Sequence, residues 1–331
     1  MDISRLKGKS VLVTGASGLI GRDIVARLLS YDLEQPITVY ALVRNELKAR
    51  KAFEGLHKDN LRYIVCDVCN LKIEDMGVDY IIHCASHTAS KDFIDSPVDV
   101  ITDIFAGAEN ILKFAKVNNA RGLVYLSTME VYGSPTIEHK VYETSASYLD
   151  VMQARSSYPE AKRACECLCA AYASQYGVNA KVVRLTQTFG RGVSYNDKRV
   201  FAEFARCVIE GRDIVLKTKG ETMRNYLSTD DATDAILTVL LDGKAGEAYN
   251  AANEDTYCSI YDMARLVADN FGTGKVSVRI EEQDISLFGY APTLKMDLSS
   301  AKLAALGWKA RKGLKEMFAE TIEDMRKQVA N

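Results

Sequence analysis

Two residues of opposite acid–base character stand four positions apart in Tyr158-Pro-Glu-Ala-Lys162. On a helix that spacing brings both side chains to one face, neighbours across one turn, and Pro159 suits the first turn of such a helix. A free phenol titrates near pH 10 and is a poor base at neutral pH. A neighbouring positive charge favours the phenolate, and each pKa unit is worth about 1.4 kcal/mol. The pair gains weight from Ser127-Thr128, which close the apolar run GLVYLST at 122–128, and from Glu130 two residues further on.

Lys9 to Gly21 reads KSVLVTGASGLIG, with Gly15, Gly18 and Gly21 spaced GxxGxxG between a strand pattern and a helix pattern. Gly15 permits the tight turn, Gly18 lets a pyrophosphate approach the backbone, and Gly21 lets the helix sit close to the sheet. The anion then lies at the helix N-terminus, where free N–H groups and the dipole favour it. Arg22-Asp23 follows Gly21, in place of the Lys and Ser or Thr of a P-loop. The loop therefore reads as a dinucleotide site built from Gly15, Ser17, Gly18, Leu19, Ile20 and Gly21, with Ala85 and Ser86 after the fourth strand on the same edge. A ribose-binding acid is expected about 20 residues past the glycines, but the second strand ends VYALV and runs into Arg44-Asn45. Arg44 suits a 2′-phosphate and favours NADP without excluding NAD; the alternative is a solvated arginine. Asp67, with Val68, follows the third strand and suits the adenine amino group.

The elements that must position these groups follow from periodicity. Short β-branched runs at 10–14, 37–43, 61–66, 79–84, 122–128 and 180–185 alternate with helical patterns, notably 19–30, 98–118 and 159–176. Such alternation predicts a parallel sheet covered on both faces, with ligand sites beyond the carboxyl ends of its strands. After about residue 186 the pattern is irregular, with helices near 198–210, 230–242, 259–270 and 312–328. We expect an α/β fold. Residues 1–186 form a doubly wound, Rossmann-like NAD(P)-binding domain, and 187–331 a smaller, mainly substrate-binding portion, with about 224–253 returning to the first. The 331 residues suit two domains at about 150 residues each.

Composition removes other classes. Lys plus Arg is 42 and Asp plus Glu 44, a net charge of −2, and without a basic run neither nucleic acid nor an anionic membrane is an expected partner. With 47% hydrophobic and 26% charged residues, disorder is excluded. The longest uncharged stretch, Cys167 to Ala180, falls short of the roughly 18 residues of a membrane span, and the N-terminus lacks a signal-peptide pattern. The expected compartment is the cytoplasm, and the eight cysteines read as reduced thiols. Cys66 and Cys69 form one CxxC without a second pair, so no metal is expected. Cys165, Cys167 and Cys169 read as small packing residues, and His83 and Cys84 as core.

Taken together, the motifs resemble the extended short-chain dehydrogenase/reductase family, in particular its nucleotide-sugar epimerases and dehydratases. The resemblance runs through TGASGLIG at 14–21, CDV at 66–68, HCAS at 83–86, LSTMEVYG at 126–133 and YPEAK at 158–162. It continues in RLTQTFGRG at 184–192, RNYLSTDDATDAI at 224–236, AYNAAN at 248–253 and LGWK at 306–309. It implies that Tyr158 takes a proton from a sugar hydroxyl while the neighbouring C–H gives hydride to the nicotinamide. Lys162 would hold the ribose and lower the tyrosine's pKa. Thr128, with Ser127 beside it, would hydrogen-bond the oxygen being oxidised. Arg224 matches an arginine that contacts the substrate diphosphate, its alternative being a salt bridge to the following Asp pair. A homodimer joined through 98–118 and 159–176 is also implied.

Departures decide between reactions. Met129 replaces the acid of the dehydratase pattern STDEVYG, so the acid that protonates a departing hydroxyl is missing, while Glu130 could still serve as a base. Decarboxylases resemble this segment too, yet no arginine occurs from 280 to 310, where they place one for the sugar carboxylate. Gln187 stands where relatives commonly have Asn, and Ile104-Phe105-Ala106-Gly107-Ala108 replaces their usual Asn-Val-x-Gly-Thr, so substrate contacts are redrawn. The leading expectation is an epimerase acting on a nucleoside-diphosphate sugar. Dehydration, decarboxylation and NADPH-dependent ketosugar reduction are the alternatives. The intact Tyr158–Lys162 pair argues against a non-catalytic dinucleotide sensor.

Overall fold

Apolar runs with few charges form strands here because both faces of each strand are covered. The computed structural model describes residues 2–56, 59–135, 139–283 and 293–330. Its strands are β1 (Ser10–Thr14), β2 (Thr38–Val43), β3 (Leu61–Val65), β4 (Tyr80–His83), β5 (Gly122–Thr128), β6 (Lys140–Val141) and β7 (Ala180–Leu185). They continue with β8 (Gln187–Phe189), β9 (Ile214–Leu216), β10 (Met223–Ser228), β11 (Ala248–Ala251), β12 (Asn253–Ser259), β13 (Val278–Ile280) and β14 (Lys295–Leu298). The helices are α1 (Leu19–Ser30), α2 (Glu46–Ala52), α3 (Asp92–Asp95), α4 (Pro97–Val117) and α5 (Ser157–Tyr176). After them come α6 (Val200–Glu210), α7 (Thr229–Asp242), α8 (Ile260–Phe271), α9 (Ala301–Ala304) and α10 (Leu314–Ala330).

The seven-stranded sheet runs β11-β7-β5-β4-β1-β2-β3, and every neighbouring pair is parallel. The strand order reverses between β1 and β4, which places the crevice for a ligand beyond their carboxyl ends. One face is covered by α1 and α7, whose Ile24, Leu28, Ile236 and Leu240 share a core with Val11, Val13 and Val124. The other is covered by α4 and α5, whose Ile104, Ile111, Ala161 and Cys165 pack with Leu12, Ile81 and Leu123. β11 and α7 thus join the first sheet although both lie late in the chain, whereas β10 belongs to a second sheet, β12-β10-β14-β6, with β8 alongside β10. A third core holds α6, α8 and α10 together through Phe189, Phe201, Phe204, Met263 and Phe318. Of the crowded cysteines on α5, Cys165 and Cys169 face the core and Cys167 faces solvent, as a helical repeat requires.

His83 ends β4 almost fully buried, its Nδ1 sharing a 2.7 Å hydrogen bond with the Thr14 hydroxyl. Burial, aided by the Lys162 charge, pushes its pKa down from 6.5 to about 3. The unfolded chain therefore binds a proton near pH 6.5 that the folded chain refuses, and stability falls as pH drops from there toward 3. Between pH 7 and pH 5 this residue should cost about 2 kcal/mol. Chemical denaturation at the two pH values should show that loss shrinking by this amount in His83→Asn; an equal loss in both proteins would contradict it.

Candidate active site

The glycine loop sits at the crevice. Gly15 has φ +62, and a Cβ there would lie 2.8 Å from the Ala85 amide nitrogen, so the turn after β1 presses against the segment after β4. At Gly21 a Cβ would come within 2.3 Å of the Gly15 carbonyl oxygen and 2.9 Å of the Ala16 Cα. At Gly18 it would meet only the Gly15 carbonyl, at 3.2 Å, and otherwise point into open space. Gly18 also caps α1 without a side-chain hydrogen bond, which leaves the first-turn amides of Leu19, Ile20 and Gly21 without a side-chain acceptor. A bare, half-covered cradle at a helix N-terminus fits a dinucleotide pyrophosphate. Gly21→Ala should push α1 off the loop, since backbone on both sides leaves no room to yield. At a repacking cost of about 1–3 kcal/mol, NAD affinity should fall roughly 5- to 150-fold by titration calorimetry. Wild-type affinity in that variant would count against the cradle.

Arg44, Asp67, Val68, Ala85 and Ser86, also singled out for the cofactor, lie past carboxyl ends of strands. Arg44 stands exposed after β2, beside Asn45, which caps α2 by accepting from the Lys48 amide. After β3, the Asp67 carboxylate accepts from the Cys69 amide at 2.9 Å and begins a short 3-10 turn containing Val68. The Ala85 amide donates to the Thr14 hydroxyl at 3.1 Å, and the Ser86 hydroxyl to the His87 carbonyl. Ser17 lies half-buried in the loop itself.

At the end of β5 the two hydroxyls part. Ser127 donates to Glu166. Thr128 caps the following 3-10 turn, accepting from the Glu130 amide at 3.3 Å. Tyr158 and Lys162 both lie in the first two turns of α5 and are buried. The Tyr158 ring stacks on Phe93 of α3, with centroids 4.2 Å apart and planes 10° from parallel. Burial, then the Glu130 charge, hold the phenol well above its ordinary pKa, against the pull of Thr128 and Arg155. Lys162 donates to the Leu126 carbonyl at 2.8 Å, and burial draws its ammonium down to about 8. Its Nζ lies 5.9 Å from the Tyr158 ring centre. Glu130 itself is paired with Arg155 at 2.9 Å.

Met129 points away from these groups, buried in a small core with Val131, Val141, Leu294 and Met296. Gln187 opens β8, half-buried, opposite Tyr226 of β10. Arg224 lies on β10, its Nε buried and without a hydrogen-bond partner among the described residues. The Asp pair after it is held elsewhere: Asp230 by Lys312 and Arg27, Asp231 by Ser228 and Arg311. Arg224 therefore keeps at least one donor uncommitted.

Three residues in this cluster escape a motif-based reading. Glu166 lies four positions beyond Lys162 on the same helix face, a spacing that could have flagged it. Arg155 lies three residues before Tyr158 without any pattern to mark it. Arg184 comes from β7 and grips Glu166, with Nη2 at 2.6 Å and Nε at 3.0 Å. Among the described residues no group of three or more His, Cys, Asp or Glu is arranged to hold a metal ion, and no helix is long and apolar enough to cross a membrane.

A Rossmann-type sheet with a glycine cradle at its switch point and a Tyr–Lys pair beside it defines a nicotinamide-dependent enzyme. The family model described as NAD dependent epimerase/dehydratase family matches residues 11–252, and the chain belongs to that family. It is 31% identical over 331 residues to UDP-glucuronic acid decarboxylase 1 of Xenopus tropicalis, covering 99% of this chain and 74% of that protein. The Danio rerio protein of the same name is 28% identical, with 97% and 73% covered. Among solved structures, the UDP-N-acetylglucosamine 4-epimerase of Methanobrevibacter ruminantium, in complex with UDP-N-acetylmuramic acid, superposes with a TM-score of 0.82 at 20% identity, covering 97% of this chain and 99% of that one. The UDP-glucuronic acid 4-epimerase of Bacillus cereus, in complex with NAD, gives 0.79 at 18% identity, covering 96% and 99%.

Proposed function

We propose that this protein epimerises the sugar of a nucleoside-diphosphate sugar through transient oxidation of one hydroxyl. The observation that carries this reading is the buried Tyr158–Lys162 pair at the start of α5, with Met129 buried in a separate core. Dehydration needs an acid for the leaving hydroxyl as well as a base, and the side chain at the acid's position is a core methionine. Epimerisation needs one group that takes a proton and later returns it. Tyr158 does this, with Thr128 holding the sugar oxygen and Lys162 keeping positive charge behind the phenol. When bound, the nicotinamide supplies the hydride acceptor and donor. Residues 15–21, with Asp67, Val68, Ala85 and Ser86, hold the dinucleotide. Arg224 takes the substrate diphosphate, for which a guanidinium fork is suited, and Gln187 contacts the sugar.

A second reading, decarboxylation of a uronic-acid nucleotide, is favoured by the decarboxylase names of the curated relatives and by the retention of Glu130. Incubation with UDP-, dTDP-, GDP- and CDP-sugars followed by mass spectrometry and NMR separates the two. Unchanged mass with a shifted sugar spectrum means epimerisation, and loss of carbon dioxide means decarboxylation. Loss of water, or a gain of two hydrogens with cofactor consumed, would overturn both. Within the NAD-dependent family, Arg44 supports acceptance of NADP as well. Ile101 and Phe105 on α4 are exposed and line, with Ala161 and Ala164 of α5, an apolar groove that supports a homodimer, and Val98 is exposed one turn earlier on α4.

A further inference from the structure

Arg155 occupies a single 3-10 turn, Ala154–Ser156, directly before α5. Its Nη1 donates to Glu130 at 2.9 Å, with only 22% of the arginine side chain and 26% of the glutamate exposed. Its Nε is buried with no hydrogen-bond partner among the described residues. A cation with an orphaned donor is a poor purely structural tie, because an unmade buried hydrogen bond costs stability. The guanidinium carbon lies 5.9 Å from the centre of the Phe93 ring, on which Tyr158 stacks. Arg155, Glu130 and Tyr158 thus form one cluster around Phe93.

We propose that Arg155 is a positioning residue for the reaction, holding Glu130 in place and cancelling its charge beside the Tyr158 phenol. The inference rests on the reading of Tyr158 as proton acceptor. The titratable and charged groups facing that phenol are Glu130 from the turn after β5, Arg155 from the turn before α5, Lys162 from α5 and the buried Tyr125 from β5, with the neutral Thr128 and Phe93 from β5 and α3. A bare carboxylate opposes loss of the phenolic proton, and a guanidinium paired with it removes that opposition. The same pairing keeps Glu130 from wandering onto the sugar as an independent base.

The test compares wild type, Arg155→Met, Arg155→Lys, Glu130→Gln and the Arg155→Met/Glu130→Gln double variant. Two measurements are made: the pH profile of kcat on a sugar nucleotide that wild type converts, and tyrosinate absorbance of NAD-loaded protein with NAD-loaded Tyr158→Phe as blank. In Arg155→Met the acid limb and the absorbance midpoint should both move upward by about one pH unit, which is a tenfold loss of phenolate below the midpoint. Arg155→Lys should restore most of the shift, and in the Glu130→Gln background the same removal should move the midpoint by much less. A midpoint unmoved in Arg155→Met, or moved equally with and without the Glu130 carboxylate, overturns the proposal. Full activity of Tyr158→Phe would overturn the underlying reading instead, and the absorbance titration still reports on Arg155 in that case.

Discussion

Tyr158→Phe should lower turnover by about 100- to 10,000-fold, the usual contribution of a positioned proton-transfer group, or about 3–5 kcal/mol of barrier. The ring itself is held by stacking on Phe93 and is only 8% exposed, so the variant keeps its packing and loses one oxygen. Thr128, whose side chain helps to lower the phenol's pKa, retains the Glu130 amide as a donor to its hydroxyl. Folding stability should therefore change by no more than about 1 kcal/mol, the net worth of one hydrogen bond. NAD affinity should be close to wild type, because the glycine cradle lies on the other side of β4 in the sheet order. Denaturation, NAD titration and rate together identify a chemical defect. Full turnover in a folded, NAD-binding Tyr158→Phe protein would sink the proposed chemistry.

Arg184→Met should have the largest effect on stability. Arg184 makes three hydrogen bonds to Glu166, one to the Tyr132 hydroxyl at 2.8 Å and one to the Glu143 carbonyl at 2.8 Å. Only 14% of the arginine side chain and 11% of the glutamate are exposed. Removing the cation leaves Glu166 as a covered carboxylate with the Ser127 hydroxyl as its remaining donor. Breaking a buried pair in this way costs about 3–5 kcal/mol, whereas replacing both partners by apolar groups can be nearly neutral. Urea denaturation should show the full loss in Arg184→Met and recovery of most of it in Arg184→Met/Glu166→Met. A single variant as stable as wild type would show that solvent already screens the pair.

The second effect reaches the site, because Glu166 is also where the Ser127 hydroxyl is anchored, next to Thr128. Tyr132, which accepts from Arg184, donates in turn to Asn250 of β11. The end of β5 is thereby tied both to α5 and to a strand contributed late in the chain.

Much of this is legible in the amino-acid sequence. The glycine cradle, the alternation of strand and helix, and the Tyr158–Lys162 spacing all depend on residues within one or two helical turns of one another. Local backbone geometry therefore dictates them: Gly15 must adopt positive φ, Gly21 must lack a Cβ, and residues four apart on a helix must share a face. The chemical class followed from those features. What tertiary structure alone decided are the partners. That Lys162 donates to a strand carbonyl, that Glu130 is neutralised by Arg155, that Ser127 is claimed by Glu166 and that Met129 turns into a core are contacts across 25 to 167 residues of chain. The one-dimensional pattern lists these side chains without pairing them, because many pairings satisfy the same periodicity. Packing into a dense, low-dielectric interior selects one arrangement, in which nearly every buried charge must find its counterpart.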